Sequence, residues 1–233
     1  MSASHPRAHD LRRGDSLMST RAKEAARALL APVVRLAVAM GLTPNAITLI
    51  GFVVVVGAAA LIGTGNLLPG AIVLTAGSLL DAVDGALARA TGVTSAFGSF
   101  LDSTLDRAAE AVLYGGIAAY YLRFASEPTA PVLLALLALA GSFMVSYTRA
   151  RAEGIGVVAS VGLAPRVERL VLIVAGIGLA GIGFQVALIG ALAVIALLSV
   201  TTTVQRIWHV HRLSSATPDG ASTNTTRENE QRG

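Results

Sequence analysis

Apolar and polar positions divide the chain into six long apolar runs, roughly 46–64, 69–90, 99–121, 131–150, 168–183 and 186–206, parted by short stretches of charge, Gly and Pro. Apolar runs of about 20 residues are long enough to cross the hydrocarbon of a bilayer as helices. The stretch before the first run has a different rhythm. Ala25, Leu29, Val33, Leu36 and Met40 are interspersed with Arg21, Lys23, Arg27 and Arg35. This pattern predicts an amphipathic helix lying in the membrane interface over 19–41, stopped by Gly41. Thr43-Pro44 then supplies an N-cap and a first-turn proline for the first spanning helix. Residues 1–18 and 213–233 are polar and read as disordered tails. The predicted fold is therefore an all-α integral membrane protein, with an interfacial helix ahead of a six-helix membrane domain over 42–212.

Composition supports this division. Of 233 residues, 54% are apolar and 14% charged, against about a quarter charged in a typical soluble domain. There is no cysteine, which excludes disulfides and thiolate metal sites. Met1–Thr20 is polar and basic, without the apolar core of a cleavable signal sequence.

Six spans place both termini on one side. The loops on the other side, near Gly63–Leu68, Leu122–Pro131 and Gly181–Phe184, hold a single basic residue, Arg123. The other seventeen of the eighteen Lys and Arg lie on the terminal side or at span ends facing it. The positive-inside tendency makes that side the cytoplasm, with the plasma membrane as the expected location. The basic balance thus reflects topology and anionic lipid. Without a folded basic domain or interleaved aromatics, nucleic acid is not an expected partner.

Four aspartates interrupt this apolar background. They stand as Asp81-x-x-Asp84-Gly85-x-x-Ala88-Arg89, then eight residues, then Gly98-x-x-x-Asp102-x-x-x-Asp106. On helices, each Asp pair shares a face. Carboxylates in such surroundings are costly and repel one another unless a cation lies between them. An all-oxygen cluster suits a hard divalent ion such as Mg²⁺ or Mn²⁺. Glu110, one turn beyond Asp106, reads either as an extension of this acidic face or as an intramembrane polar contact.

At all eight fixed positions the pattern resembles the signature of the CDP-alcohol phosphatidyltransferases, a family of integral membrane enzymes. The resemblance implies displacement of CMP from CDP-diacylglycerol by an alcohol. It casts Asp81, Asp84, Asp102 and Asp106 as ligands of two divalent ions, with Asp106 also the general base. Asp84, Gly85, Ala88, Arg89 and Gly98 would line the nucleotide. The segment 42–48 is similar to the family's approach to its first span, which adds Asn45 and Thr48 to the nucleotide residues. The resemblance also implies a homodimer.

A second basic region decides the expected alcohol. Arg149, Arg151, Arg166 and Arg169 cluster at the cytoplasmic ends of spans 4 and 5, and guanidinium forks match phosphate oxygens. The run Val145-Ser146-Tyr147-x-x-Ala150-Arg151-Ala152-Glu153-Gly154, with Ala164-x-Arg166-x-Glu168-Arg169, resembles prokaryotic phosphatidylinositol phosphate synthases. That implies inositol phosphate as acceptor, its phosphate held by Ser146, Arg149, Arg169 and Arg206. Arg151 and Arg166 would brace the pocket, paired with Glu153 and Glu168. Two other readings stand beside this one. Glycerol 3-phosphate, the acceptor of phosphatidylglycerol phosphate synthases, is also a phosphorylated alcohol. A metal-ion transporter would account for the aspartates but not for the residues between them.

Overall fold

The computed structural model describes residues 31–92, 95–159, 161–162 and 166–215, without the side chains at 84, 89–91 and 215. The expected tail over 1–18, residues 216–233 of the tail expected over 213–233, and the first part of the expected interfacial helix lie outside the described residues.

Residues 31–39 form a helix, α1, and each of the six apolar runs becomes a helix of its own. These are α2 (Pro44–Gly63), α3 (Leu67–Thr91), α4 (Ala96–Phe124), α5 (Thr129–Gly154), α6 (Arg166–Gly181) and α7 (Gln185–Ser215). No strand occurs among the described residues.

Local signals set several of the ends. Gly41, at φ +67°, closes α1: its N–H donates to Val38 O while the Leu42 N–H donates to Ala37 O. This is the Schellman pattern, which favours glycine at the left-handed position. Thr43 caps α2 by accepting from the Ala46 N–H at 3.2 Å, with Pro44 in the first turn. Ser95 caps α4 through the Gly98 N–H at 2.9 Å. The last helix runs past the predicted end at 206 and through the first residues read as tail. Arg212 lies over the Trp208 ring, 4.2 Å from its centroid, and supports this extra length.

Four helices, α2, α3, α5 and α7, are long and apolar enough to cross a membrane. The other two fall short for different reasons: α6 has only 16 residues, and α4 carries Asp102, Asp106, Arg107, Glu110 and Arg123.

The six long helices close into a ring in the order α2, α3, α6, α7, α5, α4, each packing on two neighbours. Chain order does not dictate that order. Large side chains fill the interior: Ile62, Leu74, Ile117, Ile177, Leu188 and Ile195 are fully buried, while α5 contributes the small Ala135 and Ala138. A second, smaller cluster of Ala37, Ile47, Val83 and Leu87 docks α1 onto the ends of α2 and α3. Outward faces are strongly apolar as well, with Leu133 and Leu137 on α5 and Val186 and Leu197 on α7 exposed. An apolar outside around a packed inside is consistent with a membrane protein.

Close helix contact depends on small residues. A Cβ on Gly116 of α4 would lie 2.5 Å from the Ala59 carbonyl oxygen of α2, a backbone atom that cannot swing aside. Gly116→Ala is expected to separate these helices and lower stability by about 1–3 kcal/mol. The thermal unfolding midpoint of the detergent-solubilised protein checks this.

Candidate active site

The aspartates sit at one end of the ring, where α3 finishes and α4 begins. Among the described residues α3 and α4 do not pack on each other; both lean on α2. Their carboxylates nevertheless meet across the gap. Asp81 from α3 and Asp102 and Asp106 from α4 each offer an oxygen, and the three oxygens lie within 4.8 Å of one another. All three side chains are half-buried. Three convergent hard oxygen donors fit a divalent cation of the Mg²⁺ or Mn²⁺ kind. Asp84 lies on α3 one turn after Asp81, but its side chain, like that of Arg89, is outside the described set.

Two cavities open beside this cluster. Thr43, Pro44, Asn45, Thr48, Gly85, Ala88, Ser95, Gly98, Ser99 and Asp102 line the first. The sequence-predicted nucleotide residues Asn45, Thr48, Gly85, Ala88 and Gly98 therefore share one wall. A Cβ at Gly98 would come within 3.0 Å of Asn45 Oδ1 and 3.1 Å of Ser95 Oγ. Glycine there keeps the α4 cap and the Asn45 amide in place. Thr48 is buried, and its hydroxyl donates to Pro44 O at 3.0 Å.

The second cavity is walled by Asp81, Asp106, Glu110, Tyr114, Ser142, Arg166 and Arg169, with Thr48 and apolar side chains beneath. Its charge differs from that of the first. Arg169 is 4% exposed and lies 3.6 Å from Glu110 Oε1. Glu110 also faces Arg107 Nη1, at 3.4 Å. Glu110 is thus a half-buried counter-charge to two arginines.

The four residues expected to hold the acceptor phosphate are placed differently from one another. Arg169 lines the cavity. Arg206 is buried, donating to Val161 O at 2.9 Å and to Val145 O. Arg149 is exposed and paired with Glu153 at 2.8 Å. Ser146 accepts from Arg107 Nη1 and donates to Ser142 O at 3.2 Å. Arg206 is nevertheless within electrostatic reach of both Arg149 and Arg169. Three guanidiniums so disposed make a region that favours an anion.

Two expected pairings are corrected. Glu153 pairs with Arg149, one turn before it on α5, and not with Arg151. Arg166 does not brace the pocket through Glu168. Its Nη1 lies 2.9 Å from Asp81 Oδ2 and its Nη2 lies 2.5 Å from Asp106 Oδ1. The reason is topological: α6 packs on α3, which brings its first residue to the carboxylates. Sequence reading also missed Arg107, which touches Ser146, Glu110 and, at 3.8 Å, Asp106. A charged side chain inside an apolar run was the available signal.

Comparison with known proteins identifies the family. The family model for CDP-alcohol phosphatidyltransferases matches residues 41–210. A phosphatidylinositol phosphate synthase of Streptomyces avermitilis is 36% identical over 94% of this chain and 91% of its own. An archaetidylinositol phosphate synthase of Methanothermobacter thermautotrophicus is 41% identical over 73% of this chain and 84% of its own. Among solved structures, the phosphatidylinositol phosphate synthase of Mycobacterium tuberculosis in complex with manganese and citrate superposes with a TM-score of 0.73 at 33% identity, covering 78% of this chain and 88% of that one. The same enzyme with CDP-DAG bound gives 0.72 at 34%, covering 78% and 92%.

Proposed function

This chain belongs to the CDP-alcohol phosphatidyltransferase family, and on that premise we propose that it moves the phosphatidyl group of CDP-diacylglycerol onto a hydroxyl of inositol phosphate. The products are phosphatidylinositol phosphate and CMP. One observation carries this reading: the carboxylates stand where two unlike cavities meet, one lined by the small residues of the motif and the other by arginines.

In this mechanism the nucleotide occupies the first cavity, against Asn45, Thr48, Gly85, Ala88 and Gly98. By its place in the motif, Arg89 holds the diphosphate, for which a guanidinium fork is suited. The acceptor enters the second cavity, its phosphate drawn by Arg169 together with Arg149, Arg206 and Ser146. Its hydroxyl gives its proton to the Asp106 carboxylate while the oxygen attacks the lipid-side phosphorus. The new bond to that phosphorus forms as the bond to the CMP oxygen breaks. Asp81, Asp84, Asp102 and Asp106 would hold Mg²⁺ or Mn²⁺, two ions in all, which when bound supply positive charge to the phosphates and the departing oxygen.

The same proposal covers the surroundings. All six long helices span the bilayer, α4 included: its Asp102, Asp106 and Glu110 line the cavities, Arg107 pairs with Glu110, and Arg123, near the far end, donates to Gly63 O. The first helix lies in the interface, with Leu36 and Met40 exposed for lipid contact while Ala37 anchors it. The basic residues gathered at the site end support a cytoplasmic orientation for that end, in the plasma membrane, where CMP can leave into water. The family resemblance implies a homodimer.

Purified protein in detergent, given CDP-diacylglycerol and Mg²⁺ or Mn²⁺, is expected to release CMP with inositol phosphate. Free inositol and glycerol 3-phosphate should support little or no release. Preference for glycerol 3-phosphate would keep the reaction class and overturn the acceptor. Metal uptake into sealed vesicles without turnover would overturn the reaction class itself.

A further inference from the structure

The mechanism above gives no part to Arg166, although Arg166 holds the most central position in the site. Its guanidinium bridges Asp81 and Asp106, at 2.9 and 2.5 Å, and so links two helices that do not pack on each other. Asp102 completes the group, its carboxylate oxygen within 4.8 Å of theirs. A guanidinium bound to these oxygens and a divalent cation bound to them draw on the same lone pairs and the same negative charge. Placed together, the two cations would also repel.

The position of Arg166 allows it to leave. It is the first residue of α6, its side chain is 41% exposed, and it lines the open second cavity beside Arg169. Asp81 and Asp106 line the same open cavity, and a long side chain at a helix start can change rotamer within it without movement of the helix. While the bridge stands, an Asp106 oxygen is engaged as an acceptor and the carboxylate is held away from a substrate hydroxyl.

We infer that Arg166 is a tethered cation that engages the carboxylate cluster and competes with the divalent metal for it. Arg166 gives up Asp81 and Asp106 as the metal is taken, and Asp106 becomes available as base only then. Metal loading and exposure of the base are thereby one event. The inference rests on the metal reading of the aspartates given above.

The test is Mn²⁺ affinity, followed by the paramagnetic resonance signal of the free ion, for the full-length protein in detergent and for Arg166→Gln and Arg166→Lys. A tether engaged nine-tenths of the time masks the site about tenfold, so Arg166→Gln is expected to bind Mn²⁺ about tenfold more tightly than the native protein. Arg166→Lys, whose single ammonium cannot fork across two carboxylates, should fall between them. Structural damage to the site would weaken metal binding, and loss of a nearby positive charge alone would tighten it in Arg166→Gln while leaving Arg166→Lys, which keeps the charge, at the native value; a gain in both variants marks the forked competitor, and a gain in Arg166→Gln alone overturns it. Unchanged or weaker binding by Arg166→Gln overturns the inference. Should that variant not fold, Arg166→Lys decides on the same terms. Absence of Mn²⁺ binding in the native protein would instead remove the metal reading, and the inference with it.

Discussion

Asp106→Asn is expected to lower CMP release by about 10³-fold, within the range of about 10²–10⁴ that a positioned general base contributes. The amide keeps the shape of the carboxylate and can still accept from Arg166, so the ring of helices should survive. What it loses is the ability to take a proton from the acceptor hydroxyl, along with one charged oxygen donor for metal. Steady-state CMP release and Mn²⁺ affinity measured on the same preparation separate these losses. A fall in turnover persisting at saturating metal belongs to the base. Turnover within tenfold of the native rate would end the assignment of Asp106 as base.

Arg169→Gln is expected to raise the KM for inositol phosphate about 10²-fold, as loss of a charge-assisted hydrogen bond worth about 1.5–3 kcal/mol would do. The KM for CDP-diacylglycerol should change little, because Arg169 lines only the second cavity. A second cost accompanies the first. Arg169 is buried beside Glu110, and breaking a buried ion pair from one side costs about 3–5 kcal/mol. Arg107, 3.4 Å from the same carboxylate, should hold the loss near the lower figure. Arg169→Gln with Glu110→Gln removes the stranded charge. That pair is expected to recover most of the thermal stability and none of the acceptor affinity. Recovery of both would make Arg169 a structural residue and remove it from the acceptor site.

The two predictions draw on residues that were unequally visible in the sequence. Asp106 belongs to a pattern of fixed spacings within one helix–turn–helix segment, and local geometry carries it to Asp102 and towards Asp81. The wall of the first cavity was legible for the same reason. Asn45 and Thr48 follow the Thr43 cap, and Gly98 follows the Ser95 cap, so capping fixes where those residues stand. Arg169 was legible as a charge in an apolar run, but its counter-charge Glu110, 59 positions earlier on α4, was not. The expected pairings of Arg151 with Glu153 and of Arg166 with Glu168 joined residues two apart, which do not share a helix face. Helical spacing is decisive for Arg149, four residues before Glu153, and irrelevant for Arg166, whose partners lie on two other helices.

The sequence by itself determined six long helices, a helix ahead of them, the cap and stop residues at Gly41, Thr43 and Pro44, and the faces carrying the aspartates. Each is set by interactions within a few residues: hydrophobic runs of spanning length, side chains capping free N–H groups, and the helical repeat. The tertiary structure alone decided that the ring runs α2, α3, α6, α7, α5, α4. It also decided that Arg206 is satisfied by the carbonyls of Val145 and Val161, and that a guanidinium from α6 lies between the carboxylates of α3 and α4. Those outcomes depend on which apolar faces pack against which, where small residues let helix backbones approach. The contacts join residues tens of positions apart, and no local spacing encodes them.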